Sequence, residues 1–265
     1  MNKLKKAILA LVLLIALLMG SLFTFQEKMI FLPEEIPTDY VYDFQFDFEE
    51  VNLKTQDNET INALHIKAKD PKGIILFFHG NKGNLIRWGE ITSYFTQYNY
   101  DVFVIDYRGY GKSTGAFNEA QMYADALLSY EYVKQKFEEQ NIVVYGRSLG
   151  TTFATKVASE NNPKHLILEA PFYNLHKAAN HRYKIVPGFM FRFKFKTNQL
   201  IPKIKSPITI FHGNADKVTP YKGSQQLFEL ISTQKKEIIL LENGTHHNVR
   251  DFEDYTNALK SILAN

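Results

Sequence analysis

The chain has 265 residues, 45% of them hydrophobic and 22% charged, which is ordinary globular composition and excludes a disordered protein. A net charge of +3 is too small to point to nucleic acid as a partner. The absence of cysteine excludes disulfides, thiolate catalysis and cysteine-bound zinc.

Lys3, Lys5 and Lys6 precede a stretch from Ala7 to Gln26 in which 20 consecutive residues carry no charge. As a helix these residues span about 30 Å, the thickness of a bilayer's hydrocarbon core. Bulky residues run through Phe23-Thr24-Phe25 where signal cleavage needs small ones, so residues 1–32 read as an uncleaved signal anchor and juxtamembrane segment. The lysine cluster predicts a single-pass membrane protein with a cytoplasmic N-terminus, and with residues 33–265 on the non-cytoplasmic side.

After a linker at Pro33-Glu34-Glu35 and Pro37, the alternating runs 44–48 and 61–66 read as an antiparallel hairpin about the polar turn Gln56-Asp57-Asn58. Gly73 to Phe78 is a continuous apolar run, as expected of a strand buried on both faces. A helix with Ile91, Tyr94, Phe95 and Tyr98 on one stripe follows. Next come a strand at 102–105 and a helix with Tyr123, Leu127, Tyr130, Val133 and Phe137 inward. Further strands are expected at 142–145, 166–168, 208–211 and 238–241, with helices between them. This alternation predicts an α/β fold: a mostly parallel, doubly wound sheet covered on both faces. Residues 170–215 hold eight Lys or Arg and no Asp or Glu, and Phe191-Arg192-Phe193-Lys194-Phe195-Lys196 alternates aromatic with basic. This segment, about 171–205, reads as a small cap inserted over the sheet edge. Its cations offer a contact for anionic lipid and its aromatics a membrane interface or an acyl pocket; packing onto the sheet is the simpler alternative.

Gly146-Arg147-Ser148-Leu149-Gly150 fits the Gly-x-Ser-x-Gly elbow, and it directly follows one buried strand and opens a helix through Thr151, Ala154 and Val157. Such a turn exposes Ser148 as a nucleophile and puts the Leu149 amide at a helix N-terminus, where an oxyanion would form. A serine needs a base, and the base an orienting acid. Asp216 follows the strand 208–211, and His246-His247 follow the last strand, which gives the chain order Ser, Asp, His. The spacing of two residues from Gly244 favours His246 over His247. Glu169, at another strand end, competes with Asp216 for the acid and is read instead as holding the cap loop or a neighbouring backbone. The loop His79-Gly80-Asn81-Lys82-Gly83-Asn84 offers the Asn81 amide as second oxyanion donor, with His79 bracing the loop. Gly111-Lys112-Ser113 ends like a phosphate-binding loop, yet Asp106 stands where that motif needs glycine. His212 reads as structural, and no residue cluster has metal-ligand spacing.

The His79 loop, Asp106 to Ser113, the elbow, and His212-Gly213-x-x-Asp216-x-Val218-x-Pro220 together resemble the α/β-hydrolase superfamily. The anchor followed by Gln26 to Pro33 is similar to its membrane-anchored abhydrolase-domain serine hydrolases, from which His247 departs. The resemblance implies a serine hydrolase that cleaves an ester or thioester through an acyl-enzyme. It implies no cofactor and a small-molecule or lipid-like acyl substrate. A peptidase of the same fold is the rival enzyme, and a retired, membrane-tethered binding protein the rival that is no enzyme. The cap's lack of carboxylates to hold a substrate amino group counts against the peptidase.

Overall fold

The computed structural model describes residues 3–183 and 186–264. Helix α1 (Lys3–Ile30) is, among the described residues, the one helix long and apolar enough to cross a membrane. Its residues from Leu4 to Leu18 are largely exposed, whereas its last turns reach the body of the protein, where Gln26 is buried. The following elements are β1 (Leu32–Pro33), β2 (Phe48–Lys54), β3 (Thr60–Ile66), β4 (Gly73–Phe78), β5 (Lys82–Gly83) and α2 (Leu85–Ser93). Next are β6 (Tyr100–Ile105), α3 (Glu119–Lys134), β7 (Ile142–Arg147), α4 (Gly150–Glu160) and β8 (His165–Glu169). Helix α5 (Leu175–Tyr183) and the short α6 (Thr197–Leu200) precede β9 (Ile208–Gly213), α7 (Tyr221–Leu230), β10 (Lys236–Leu241) and α8 (Glu253–Ala264).

Eight strands form one sheet in the order β10-β9-β8-β7-β4-β6-β3-β2, in which β3 runs against its neighbours β6 and β2. The central strands are apolar throughout because both faces are covered. Ile74, Leu76 and Phe78 of β4 enter the core beneath α3 and α4, while Ile75 and Phe77 enter the opposite core with Trp88 of α2 and Tyr255 of α8. From β4 the chain steps to β6 on one side and then crosses to β7 on the other. That reversal leaves a crevice at the carboxyl ends of β4 and β7, the position where doubly wound sheets bind ligands. The register sets Phe78 beside Gly146 and Arg147 beside Glu169, so these strand ends lie level.

The hairpin differs from its expected position. Its first strand is Phe48–Lys54, paired with β3 from Phe48–Ile66 to Lys54–Thr60, and the run at 44–48 lies mostly outside it. The turn at 56–58 sets the register, and counting back from it places Val51 and Leu53 inward. Phe44 and Phe46 instead stack on each other at 4.7 Å, with Phe44 edge-on to Phe48 at 5.2 Å. The stripe expected through Ile91 and Tyr98 is likewise split: α2 ends at Ser93 and a 3-10 helix carries Tyr94–Tyr98.

The region 171–205 also divides. Phe193, Phe195, Ile201 and Ile204 sink into the core beside α4, so only the part around α5 and the 3-10 turn Gly188–Met190 lies over the crevice. Phe189 there is 76% exposed. The cations are also less isolated than their own segment suggests, since Arg192 pairs with Glu27 of α1 at 2.9 Å and Glu119 accepts from the backbone of Lys194 and Phe195.

Phe31, between α1 and the sheet, is 1% exposed, stacks on Phe117 at 4.3 Å and meets Phe193 edge-on at 4.9 Å. Beside it, β1 pairs with β5. Phe31→Ala is therefore expected to cost about 3–5 kcal/mol, the range for emptying a buried aromatic site. Urea unfolding of the full chain in detergent, followed by tryptophan fluorescence, measures this.

Candidate active site

Ser148 sits between β7 and α4 with φ of +51°, a left-handed conformation that a non-glycine residue adopts only under constraint. The constraint is the packing of α4 against β4. A Cβ at Gly150 would lie 1.9 Å from the carbonyl oxygen of Phe78, and one at Gly146 would lie 2.6 Å from that of Gly150. Both glycines are therefore required for α4 to start this close to the sheet. The strained turn is pinned by the Ser148 N–H, which donates to Glu169 O at 2.8 Å, and by Ser148 O, which accepts from the Thr151 hydroxyl at 2.6 Å. Ser148 Oγ then faces His246 Nε2 at 3.0 Å, and His246 Nδ1 lies 2.7 Å from Asp216 Oδ2. The three residues come from the ends of β7, β9 and β10, adjacent to one another only in the fold.

Asp216 is held from both sides. The backbone N–H groups of Val218 and Thr219 donate to Oδ1 at 2.7 and 2.9 Å, an Asx-type turn. Oδ2 accepts from the Thr219 hydroxyl at 3.0 Å and lies 3.2 Å from His212 Nε2. Burial alone would raise the Asp216 carboxyl, but hydrogen bonds from His212 and His246, with those from Thr219, outweigh it and hold the group well below the usual carboxylate range. An ionised Asp216 accepts from His246 Nδ1–H, which leaves the Nε2 lone pair facing Ser148 Oγ.

His247 is exposed and its ring lies edge-on to that of His246 at 5.4 Å. Glu169 is 1% exposed and does not touch His246: Arg147 Nε lies 2.9 Å from its Oε1, and the Tyr145 hydroxyl donates to its Oε2 at 2.6 Å. It thus anchors side chains rather than the cap loop. Arg147 in turn donates to His246 O at 3.2 Å, so Glu169 braces the histidine loop through Arg147. Sequence reading passed over Arg147, Thr219 and the half-buried Arg250, whose Nε is 4.0 Å from Glu169. The register of β7 beside β8, which pairs Arg147 with Glu169, is the signal that links the first of them to the site.

Asn81 and Leu149 flank Ser148 on one cavity. Among the described residues, no hydrogen bond engages either backbone N–H. The Asn81 loop is braced as its sequence suggests: His79 is fully buried, stacks on Trp88 at 5.3 Å, and its carbonyl accepts from the Tyr107 hydroxyl at 2.6 Å. The cavity measures about 470 Å³ and is walled by Leu149, Phe172, Leu175, Met190 and Phe191, with Leu22 and Met29 of α1. Among the described residues its lining includes no charged side chain. No group of three His, Asp or Glu side chains among those residues is arranged to hold a metal ion.

A family model described as serine aminopeptidase, S33, matches residues 69–204 and 189–253, more than half of the chain and all of the strand ends described above. The chain belongs to the α/β-hydrolase superfamily. Over 99% of its length this hydrolase is 28% identical to protein bem46 of Schizosaccharomyces pombe, across 94% of that protein. Over 61% of its length it is 31% identical to lysophosphatidylserine lipase ABHD12 of Danio rerio, a match that spans 48% of that relative. Its fold superposes on Pyrococcus furiosus esterase Pf2001 with a TM-score of 0.71 at 20% identity, covering 88% of this chain and 98% of the esterase.

The geometry separates neighbouring residues by their effect. His246→Ala and Asp216→Asn are each expected to lower kcat on the order of 10⁴-fold, and His247→Ala far less. Glu169→Gln should instead act on stability, at about 3 kcal/mol, because it removes the buried carboxylate that pairs with Arg147. Steady-state hydrolysis of a p-nitrophenyl ester, with a melting curve for each variant, reads both effects.

Proposed function

We propose that the protein hydrolyses an ester or thioester of a lipid-like acyl group by two-step acyl transfer through Ser148, His246 and Asp216. The observation that carries this reading is the unbroken chain of contacts from Asp216 Oδ2 through His246 to Ser148 Oγ, at 2.7 and 3.0 Å, opening on an uncharged cavity. In the first step Ser148 Oγ bonds to the acyl carbonyl carbon while its proton passes to His246 Nε2. Asp216, kept ionised, stabilises the imidazolium, and the N–H groups of Asn81 and Leu149 receive the oxyanion. Collapse breaks the bond to the leaving group, which takes the proton from His246. Water then adds to the acyl carbonyl while His246 takes its proton; collapse breaks the bond to Ser148 Oγ, which takes that proton back, and the carboxylic acid departs.

The peptidase reading has the family description behind it, since the matching model is that of a serine aminopeptidase. An aminopeptidase site needs a carboxylate for the substrate's ammonium group. Among the described residues the cavity offers none, and Glu27 close by is paired with Arg192. An apolar lining favours acyl chains, in line with the lipase named among the relatives. In this reading α1 anchors the enzyme with Lys3, Lys5 and Lys6 on the cytoplasmic side and the catalytic residues on the other.

The proposal predicts that a fluorophosphonate labels the wild-type chain and that Ser148→Ala abolishes both labelling and ester hydrolysis while the melting curve is kept. Across a panel of p-nitrophenyl esters, kcat/KM should rise from acetate to medium-length chains. An aminoacyl p-nitroanilide turned over faster than any ester would instead establish the peptidase.

A further inference from the structure

The anchor helix does more than hold the protein at a membrane. Leu22, Gln26, Met29 and Ile30 all line the cavity that reaches Ser148. They stand at positions i, i+4, i+7 and i+8, which is one face of a helix. We propose that this face of α1 is one wall of the acyl site, and that the acyl chain of a membrane lipid ester reaches Ser148 sideways from the bilayer along it. The inference rests on the acyl-transfer reading above and adds the route and the wall.

Three observations place that wall at the membrane's edge. Gln26 is 8% exposed although it ends the charge-free stretch, and the cap satisfies its amide: Nε2 donates to Met190 O at 3.3 Å and Oε1 accepts from Arg192 N at 2.8 Å. A polar side chain engaged at both ends fixes the rotation of α1 against the cap. The ion pair of Glu27 with Arg192, at 2.9 Å and partly exposed, belongs at the level of water and headgroups. Leu22 lies five residues nearer the lysine end than Glu27, about 7.5 Å deeper along the helix axis. Phe189, next to the residue that accepts from Gln26, projects 76% exposed, an apolar ring suited to the same depth. The cavity thus runs from Ser148 toward the hydrocarbon rather than toward water.

The end of α1 also holds the loop at the reacting carbonyl. Asn81 Nδ2 donates to Ile30 O at 2.9 Å, satisfying one of the helix's terminal carbonyls, and Leu32 N–H donates to Asn81 O at 2.9 Å. One helix end therefore lines the cavity and positions the residue whose amide meets the oxyanion.

The test uses the full chain in phosphatidylcholine vesicles with p-nitrophenyl acetate and p-nitrophenyl dodecanoate. Leu22→Trp and Met29→Trp fill the wall; Leu17→Trp, opposite Gln26 on the helix, is the control. Each filled variant is expected to lose at least about tenfold more in kcat/KM for dodecanoate than for acetate, as two or three excluded methylenes would give. Labelling by a small fluorophosphonate stays at wild-type level and verifies the folded site. Leu22→Ala with Met29→Ala, which widens the same wall, should move the preferred chain length upward. Equal losses on both esters, an unmoved chain-length profile in the alanine variant, or the same effect from Leu17→Trp would overturn the proposal. A wild-type chain that neither hydrolyses acetate nor takes the label would overturn the underlying acyl-transfer reading, and this one with it.

Discussion

The close approach of α4 to β4 is the constraint on which the site depends. With Gly150 so near the Phe78 carbonyl that a Cβ would lie at 1.9 Å, the chain between β7 and α4 has only a sharp turn available, and Ser148 takes φ of +51° at its apex. The same approach sets the start of α4 against the end of β4, from which the Asn81 loop leaves. Packing of two glycines thus fixes the mutual position of the serine and of the Asn81 and Leu149 amides. Strain of this kind, about 1–3 kcal/mol, persists only where the surroundings over-determine it, and here the Glu169 carbonyl and the Thr151 hydroxyl hold the turn from two sides.

Around that apex the polar groups form two shells with different tasks. His212, Thr219 and the N–H of Val218 fix the Asp216 carboxylate, so its charge and direction are set before any substrate arrives. Behind it, the buried Glu169 carboxylate joins Arg147 and Tyr145, and Arg147 carries that set to the site through its bond to His246 O. Two acidic residues at neighbouring strand ends therefore divide the work by position. One faces the imidazole, while the other stabilises the loop that carries it.

Much of this was legible in the sequence, because the strands that matter are buried on both faces and read as unbroken apolar runs. Gly73 to Phe78 and Ile142 to Tyr145 announce themselves that way, and the residues just beyond such runs fall at one edge of the sheet. That is why Ser148, Asp216 and His246, far apart in the chain, could be named together from spacing and meet in the fold. The hairpin was misplaced because two alternating runs adjoin, and local alternation does not say which one the turn selects. Arg147, Thr219 and Arg250 were invisible for another reason: their roles come from cross-strand register and turn geometry, not from residue type. The cap's basic–aromatic alternation was legible as a pattern, but its direction was not, since Phe193 and Phe195 point into the core and Arg192 finds its carboxylate on α1.

The joining of α1 to the body follows from the same economy of contacts. Phe31 closes the aromatic cluster, β1 extends the Asn81 loop through β5, and Gln26 ties the helix to the cap, so α1 ends inside the site's own packing. The central claim is acyl transfer through Ser148, and rapid quenching of the full chain with p-nitrophenyl dodecanoate, followed by peptide mass mapping, tests it most directly. The account predicts a burst of p-nitrophenol matched by a dodecanoyl adduct on Ser148. Turnover with Ser148 unmodified and the adduct on another residue would contradict it.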